Sequence, residues 1–396
     1  MKVFGTISRG VRTPIIKEGD DLVKIVCDSV LNAVNTENIT LNDKDVIAVT
    51  EAVVGISQGN YATIDQIAKD VHNKFGNETV GLVFPILSRN RFSMLLKGIA
   101  KGVKKLIIQL SYPSDEVGNS LVDLETFYES DVDPYKDIFT GDEFNKKFNH
   151  PVHTFTGINY IDLYKEYGGE NTEIILSNDP RAILKYTKNV ICADIHTRLR
   201  TQKLIKNAGG KNVLTLCDIL NKSIDGSGFN SKYGLLGSNK STEDRVKLFP
   251  ENGQEIVEKI QKTIFDKTGK NVEVMIYGDG AFKDPVGGIW ELADPIVSPA
   301  YTKGLNGTPN ELKLKFLSDN KFKDLHGKEL IAAMKKEIKN KNANLKGSME
   351  TQGTTPRRYI DLLGSLADLT SGSGDKGTPV VLIQNYFTNY AEDWNS

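Results

Sequence analysis

Two aspartates stand beside glycine at strand-to-loop transitions: Asp225 in Ser223-Ile224-Asp225-Gly226-Ser227-Gly228, and Asp279 in Tyr277-Gly278-Asp279-Gly280. A hard divalent cation takes carboxylate oxygen, and a Mg²⁺ or Mn²⁺ ion bridging nucleotide phosphates needs only one or two such ligands. Neighbouring glycines would let phosphates approach the backbone. The same residues also suit two plain Asp-Gly turns, so local sequence leaves both readings open. A third segment is Ser371-Gly372-Ser373-Gly374-Asp375-Lys376-Gly377-Thr378-Pro379. It can form a nest of backbone N–H groups around phosphate oxygens, or simply connect a helix to a strand.

Other chemistry is weaker. Ser88-Arg89-Asn90-Arg91 sets two arginines near an expected helix start, to meet an anion or to be solvated. Gly234-Leu235-Leu236-Gly237-Ser238-Asn239-Lys240-Ser241 misses a phosphate-binding P-loop at Asn239, and no good strand precedes it. No G-x-S-x-G, H-E-x-x-H or post-strand G-x-G-x-x-G occurs. The histidines lack ligand-like clustering apart from Asp194-x-His196, which reads as structural.

The elements that must hold these residues alternate. An amphipathic helix is expected over Asp20–Val34, a strand at Asp45–Val49 and a helix at Thr63–Phe75. Strands at Leu82–Phe84 and Leu106–Ile108 flank another helix. Tyr112 to His153 is polar, acidic and aromatic with weak periodicity, and reads as an excursion over the surface. Strands follow at Ile174–Leu176 and Val190–Ile191, with a helix start at Asp179-Pro180 between them. Later come Val213–Leu216, a helix at Gly253–Phe265, a strand at Val272–Tyr277, helices at Lys328–Ile338 and Tyr359–Leu369, and a strand at Pro379–Gln384.

A chain of 396 residues can bury a sizeable core in about two or three units. Its 50 basic and 51 acidic residues nearly cancel, so no global charge draws it to nucleic acid or anionic lipid. Three scattered cysteines argue against a disulfide framework, and no run approaches a membrane span. A cytoplasmic protein is expected.

In their order along the chain, several blocks resemble the coenzyme F-420 gamma-glutamyl ligase family. Thr13-Pro14-Ile15-Ile16-Lys17-Glu18-Gly19-Asp20-Asp21-Leu22, followed by Asp45-Val46-Ile47-Ala48-Val49, is similar to its opening. Asn221 to Ser227 resembles its metal-binding N-x-G-I-D-x-S stretch, and Leu248-Phe249-Pro250 the L-x-P after it. Val274 to Gly288 resembles a D-x-x-G-x-x-F-R-x-G segment in shortened form. Gly327-Lys328-Glu329-Leu330 looks like G-R-E-L, and Asp361 to Val381 like the terminal helix, glycine loop and strand.

The resemblance implies an α+β fold of mixed sheets with flanking helices, assembled as a butterfly-like homodimer. It implies a metal-dependent ligase, with Mn²⁺ or Mg²⁺ and GTP or ATP, that joins L-glutamate to a small-molecule carboxylate, deazaflavin- or folate-like, through an acyl phosphate. Asp225, Asp279 and Asp375 would bind metal. Thr13, Pro14, Ile15, Ile16, Gly372, Ser373, Gly374, Gly377 and Thr378 would bind the nucleotide. A family metal-binding glutamate falls at Ser373, leaving Asp375 or Glu350 as substitutes; a family lysine falls near Ile56, and two hydroxyl residues fall at Glu51 and Ala52. The expected organisation is a ligase-like core from 1–110 and 212–396, with 111–211 inserted. A non-catalytic nucleotide or anion sensor on the same fold is the alternative.

Overall fold

The computed structural model describes residues 4–89, 91–154, 156–279, 282–283, 290–291, 295–351, 357–371 and 375–392. A five-stranded core sheet has the order Ile7–Val11, Val380–Gln384, Val46–Thr50, Glu273–Tyr277, Ala300–Tyr301. Val46–Thr50 and Glu273–Tyr277 run parallel; Val380–Gln384 is antiparallel to both neighbours. Alternate residues go to opposite faces. Ile47, Val49, Val274, Ile276, Val380 and Leu382 pack on helices Leu22–Thr36 and Gly253–Thr268. Val46, Ala48, Met275, Tyr277, Val381 and Ile383 pack on helix Tyr359–Thr370. Burial on both faces explains the unbroken apolar runs, each buried Val, Ile, Leu or Met side chain contributing about 1.5–3 kcal/mol relative to exposure. The first helix starts where Asp21 caps it, its carboxylate accepting the Lys24 N–H at 3.0 Å.

A six-stranded sheet lies between these segments in sequence, in the order Phe139–Thr140, Thr172–Leu176, Lys105–Leu110, Thr79–Val83, Asn189–Cys192, Asn212–Thr215. Its first strand in this order is antiparallel and the rest are parallel. Counting the parallel strands along the chain gives 3-2-1-4-5, the doubly wound order, which reverses between Thr79–Val83 and Asn189–Cys192. Helices Ile64–Phe75, Ser93–Lys101 and Tyr160–Gly168 cover one face; the 3₁₀ helix Pro180–Lys185 and helix Arg198–Asn207 cover the other. Position 110 falls at the end of a central strand of this sheet.

The fold class is the expected α+β, with mixed sheets between helices. Tyr112 to His153, however, is not an excursion over the surface. Phe139–Thr140 forms the sheet's edge, and Tyr112, Phe127, Phe139, Phe144 and Phe148 form a cluster with ring centroids 4.7 to 6.0 Å apart. Aromatic rings drawn from two short helices, a two-residue strand and the loops beside them bury area without a sustained helical or strand period, so periodicity does not reveal them. Among the described residues no helix is long and apolar enough to cross a membrane.

Candidate active site

Strand pairing in the core sheet gathers distant segments on one rim. Val11, Val380, Val49, Ile276 and Ala300 form one register row. Past that row the chain leaves as Thr13–Ile16, as Thr50–Glu51 and as Gly278–Asp279, and it enters through Gly377–Pro379. The Thr13 N–H donates to Gly377 O at 3.3 Å and the Thr50 N–H to Pro379 O at 3.0 Å. Gly377 has φ +63°, where glycine avoids Cβ strain. Gly10 is small for a different reason: a Cβ there would lie 2.9 Å from Thr378 Cβ. Thr13, Gly377 and Thr378 therefore sit together. Pro14 and Ile15 are exposed, Ile15 by 87%, while Ile16 turns into the core. Asp375 is exposed at the same entrance, and Gly372, Ser373 and Gly374 lie outside the described residues.

Glu51 opens the short helix Glu51–Ser57 directly after its strand and is buried. Lys247, from strand Arg245–Lys247, brings Nζ to 3.5 Å from its Oε1. Sequence reading registered Glu51 only as a departure from a hydroxyl residue and missed Lys247, whose arrival depends on strand Tyr61–Thr63 pairing with Arg245–Lys247. Removing one member of so enclosed a pair would leave a buried charge.

The two glycine-flanked aspartates are engaged by different cations. Asp225 has φ +48° and Gly226 φ +77°, so this segment is a left-handed turn. Its carboxylate receives Lys69 Nζ at 2.6 and 2.8 Å, and its carbonyl accepts from Gln66 Nε2 at 3.2 Å. Asp279, just past Tyr277, is ion-paired with Arg91. Among the described residues no group of three or more His, Cys, Asp or Glu converges as a ready metal cage. The oxygen donors suit only a cation that brings part of its own shell, as Mg²⁺ and Mn²⁺ do with water or phosphate.

Arg91 leads to a crevice at the reversal of the six-stranded sheet, lined by Ile86, Phe92, Leu95, Ala193, Ile195 and Leu236 among others. Its floor is braced. Tyr164 OH donates to Ile86 O and accepts the Ser88 N–H, and Asp115 accepts the Leu87 N–H at 2.8 Å. Burial pushes the Asp115 carboxyl up to about 6. Across the crevice mouth, Glu116 accepts the N–H groups of Ile195, His196 and Thr197 before helix Arg198–Asn207. Thus the chain's own carboxylate fills the helix terminus where doubly wound folds often seat phosphate. Asp194 is structural as read: its Oδ2 accepts from Thr197 Oγ1 at 2.6 Å and Thr201 Oγ1 at 2.7 Å, and burial raises its pKa. The near P-loop also packs inward, with Leu235 and Leu236 buried.

No curated protein matches the chain in a sequence comparison. The family model described as F420-0:Gamma-glutamyl ligase matches residues 10–385, a span that includes both the core rim and the doubly wound middle. By that match the chain belongs to the F420-0:gamma-glutamyl ligase family.

Proposed function

We propose that this ligase is a nucleotide- and metal-dependent acid–amine ligase that joins L-glutamate to a cofactor carboxylate, with F420-0 as the first acceptor to test and a folate-like acid as the second. The observation that carries the reading is the meeting of Thr13 with Gly377 and Thr378 on the core-sheet rim, where one strand, Val46–Thr50, separates Val380–Gln384 from the strand that leads to Asp279. In this reading GTP or ATP lies along Thr13–Ile16, and the terminal glycine loop covers its phosphates. Exposed Ile15 gives the base an apolar surface.

Carboxylate oxygen is a poor leaving group. The acceptor carboxylate attacks the terminal phosphorus, the nucleoside diphosphate departs, and the glutamate amine then displaces phosphate from the acyl carbon. Asp279, Asp225 and Asp375 would hold Mg²⁺ or Mn²⁺, which supplies neutralisation of the phosphoryl oxygens. Lys247 would bring to the rim the cation that the family places near Ile56. Homodimerisation and a cytoplasmic setting belong to the same proposal.

Titration calorimetry with GTP or ATP and Mn²⁺, followed by phosphate release with F420-0 and L-glutamate, tests it. Metal-dependent binding and glutamate-dependent release are expected. Absence of nucleotide binding would refute the reading, and binding without turnover across an acid panel would favour the sensor. Light scattering giving a monomer at micromolar concentration would count against the dimer.

A further inference from the structure

Charge nearly cancels over the whole chain but is sorted along the six-stranded sheet. Between Asp115 and Glu143 ten residues are acidic and Lys136 alone is basic. Between Lys185 and Lys211 seven residues are lysine or arginine, and the single acidic one, Asp194, is buried. The sheet order sets these segments at opposite ends. The acidic one surrounds edge strand Phe139–Thr140, where Tyr112 and Phe127 join the aromatic cluster. The basic one includes helix Arg198–Asn207, which packs on the other edge strand, Asn212–Thr215. Five gaps of about 4.8 Å put the edges about 24 Å apart, against a Debye length of about 8 Å at physiological salt, so the two ends do not neutralise each other.

Both ends expose apolar side chains among their charges. The short helix Leu124–Tyr128 presents Leu124 and Tyr128 one turn apart, the tyrosine 72% exposed, with Glu125 and Glu129 beside them. Tyr135, 90% exposed, follows on the next turn. On helix Arg198–Asn207 the exposed surface carries Leu199, 68% exposed, and Leu204 among Arg200, Lys203 and Lys206. In the acidic segment Asp131, Asp133 and Asp142 are ion-paired, with Lys147, Lys136 and Lys165. Glu125, Glu129, Arg200, Lys203 and Lys206 have no ion-pair partner among the described residues.

We propose that the acidic end of one copy of this chain docks on the basic helix of a second copy. Leu124, Tyr128 and Tyr135 pack against Leu199 and Leu204, while Glu125 and Glu129 face Arg200, Lys203 and Lys206. Nucleic acid or an anionic lipid surface would meet the cations and leave the acidic, aromatic end unused; a second copy uses both. Exposed ion pairs contribute little singly, so charge sets approach and orientation, and the tyrosine and leucine side chains hold the contact once buried. The pairing is heterologous. Each contact leaves one acidic and one basic end free, so further copies add unless the assembly closes. The surface lies on the six-stranded sheet and is independent of the ligase reading.

Sedimentation velocity of the full chain over a concentration series, at about 0.1 M and about 1 M salt, tests the contact. Mass should rise with concentration at the lower salt and fall back at the higher. Arg200→Glu with Lys203→Glu makes a copy acidic at both ends, and Glu125→Lys with Glu129→Lys makes one basic at both. Each double variant alone should associate at least about tenfold more weakly, and an equimolar mixture of the two should recover the association. Tyr128→Ser should weaken it with the salt dependence retained. All these side chains are exposed, so circular dichroism should show a native fold in every variant. Mass independent of salt, including a dimer that survives unchanged in both double variants, would overturn the proposal. So would a mixture that fails to recover association, or wild type that binds RNA or phosphatidylserine vesicles through Lys203 without self-associating.

Discussion

Lys69 and Asp225 allow a paired perturbation in which one broken contact has two opposite consequences. Their side chains are 54% and 58% exposed, so solvent screens the ion pair and its contribution to stability is about 0–1 kcal/mol. Asp225→Asn and Lys69→Met should therefore each lower the melting temperature by no more than about 2–4 °C. Metal binding should separate them. If Asp225 ligates the cation, Asp225→Asn weakens Mn²⁺-dependent GTP binding by at least about tenfold, since even outer-shell partners of metal sites contribute 10- to 100-fold. Lys69→Met removes the ammonium that competes at 2.6 Å and should tighten binding by at most about fivefold, the equivalent of breaking that pair. Thermal unfolding in EDTA gives the first quantity, and calorimetric GTP titration at fixed Mn²⁺ the second. Equal shifts in the two variants, or none, would show that Asp225 is a turn residue whose charge serves only Lys69.

Gly228→Ala should destabilise the Asp225 loop by about 1–3 kcal/mol in urea unfolding, because a Cβ would lie 2.4 Å from Asn60 Oδ1 and 2.6 Å from Tyr61 N. A wild-type midpoint would show that the loop yields. Asp115 should give a pH signature: its folded pKa of about 6 exceeds the unfolded value near 4, so its contribution is full below about pH 4 and is lost as pH rises to about 6, by roughly 3 kcal/mol at most. Urea titrations of Asp115→Asn should lack that part of the slope, and an identical slope would remove Asp115 as its source. Native protein should react with a thiol reagent first at half-buried Cys217. Burial pushes the Cys27 thiol up to about 11 and raises that of Cys192 too, so both should react only on unfolding; their early labelling, read by peptide mass, would contradict the packing.

The long strands and most long helices were legible because their residues are patterned for burial, as in Val46–Thr50 and Gly253–Thr268. Helix Arg198–Asn207 escaped notice since only Thr201 and Ile205 are buried, too few for an apolar stripe. The doubly wound order was not readable either. It depends on Asn189–Cys192 choosing Thr79–Val83 as its neighbour, and no glycine fingerprint advertises the turn after the first strand. For the site, glycine-flanked aspartates and the terminal loop were visible as local composition. Lys69, Arg91 and Lys247 were not identifiable as their partners, because each reaches its carboxylate across more than 150 positions of chain. Motifs expose the residues that bend the backbone; the cations opposite them come from tertiary pairing.

Pairing of Ile7–Val11 with Val380–Gln384 has a consequence for biosynthesis. At about 5–20 residues per second the ribosome needs roughly 20–75 s between making these two strands. The middle sheet has all its strands by Thr215 and can close during that interval, whereas Val46–Thr50 must wait for Glu273–Tyr277 and then for the final strand. Throughout, its apolar run is an unpaired edge able to recruit other nascent chains. Protein yield in a cell should therefore depend on translation speed and holdase supply more than on equilibrium stability.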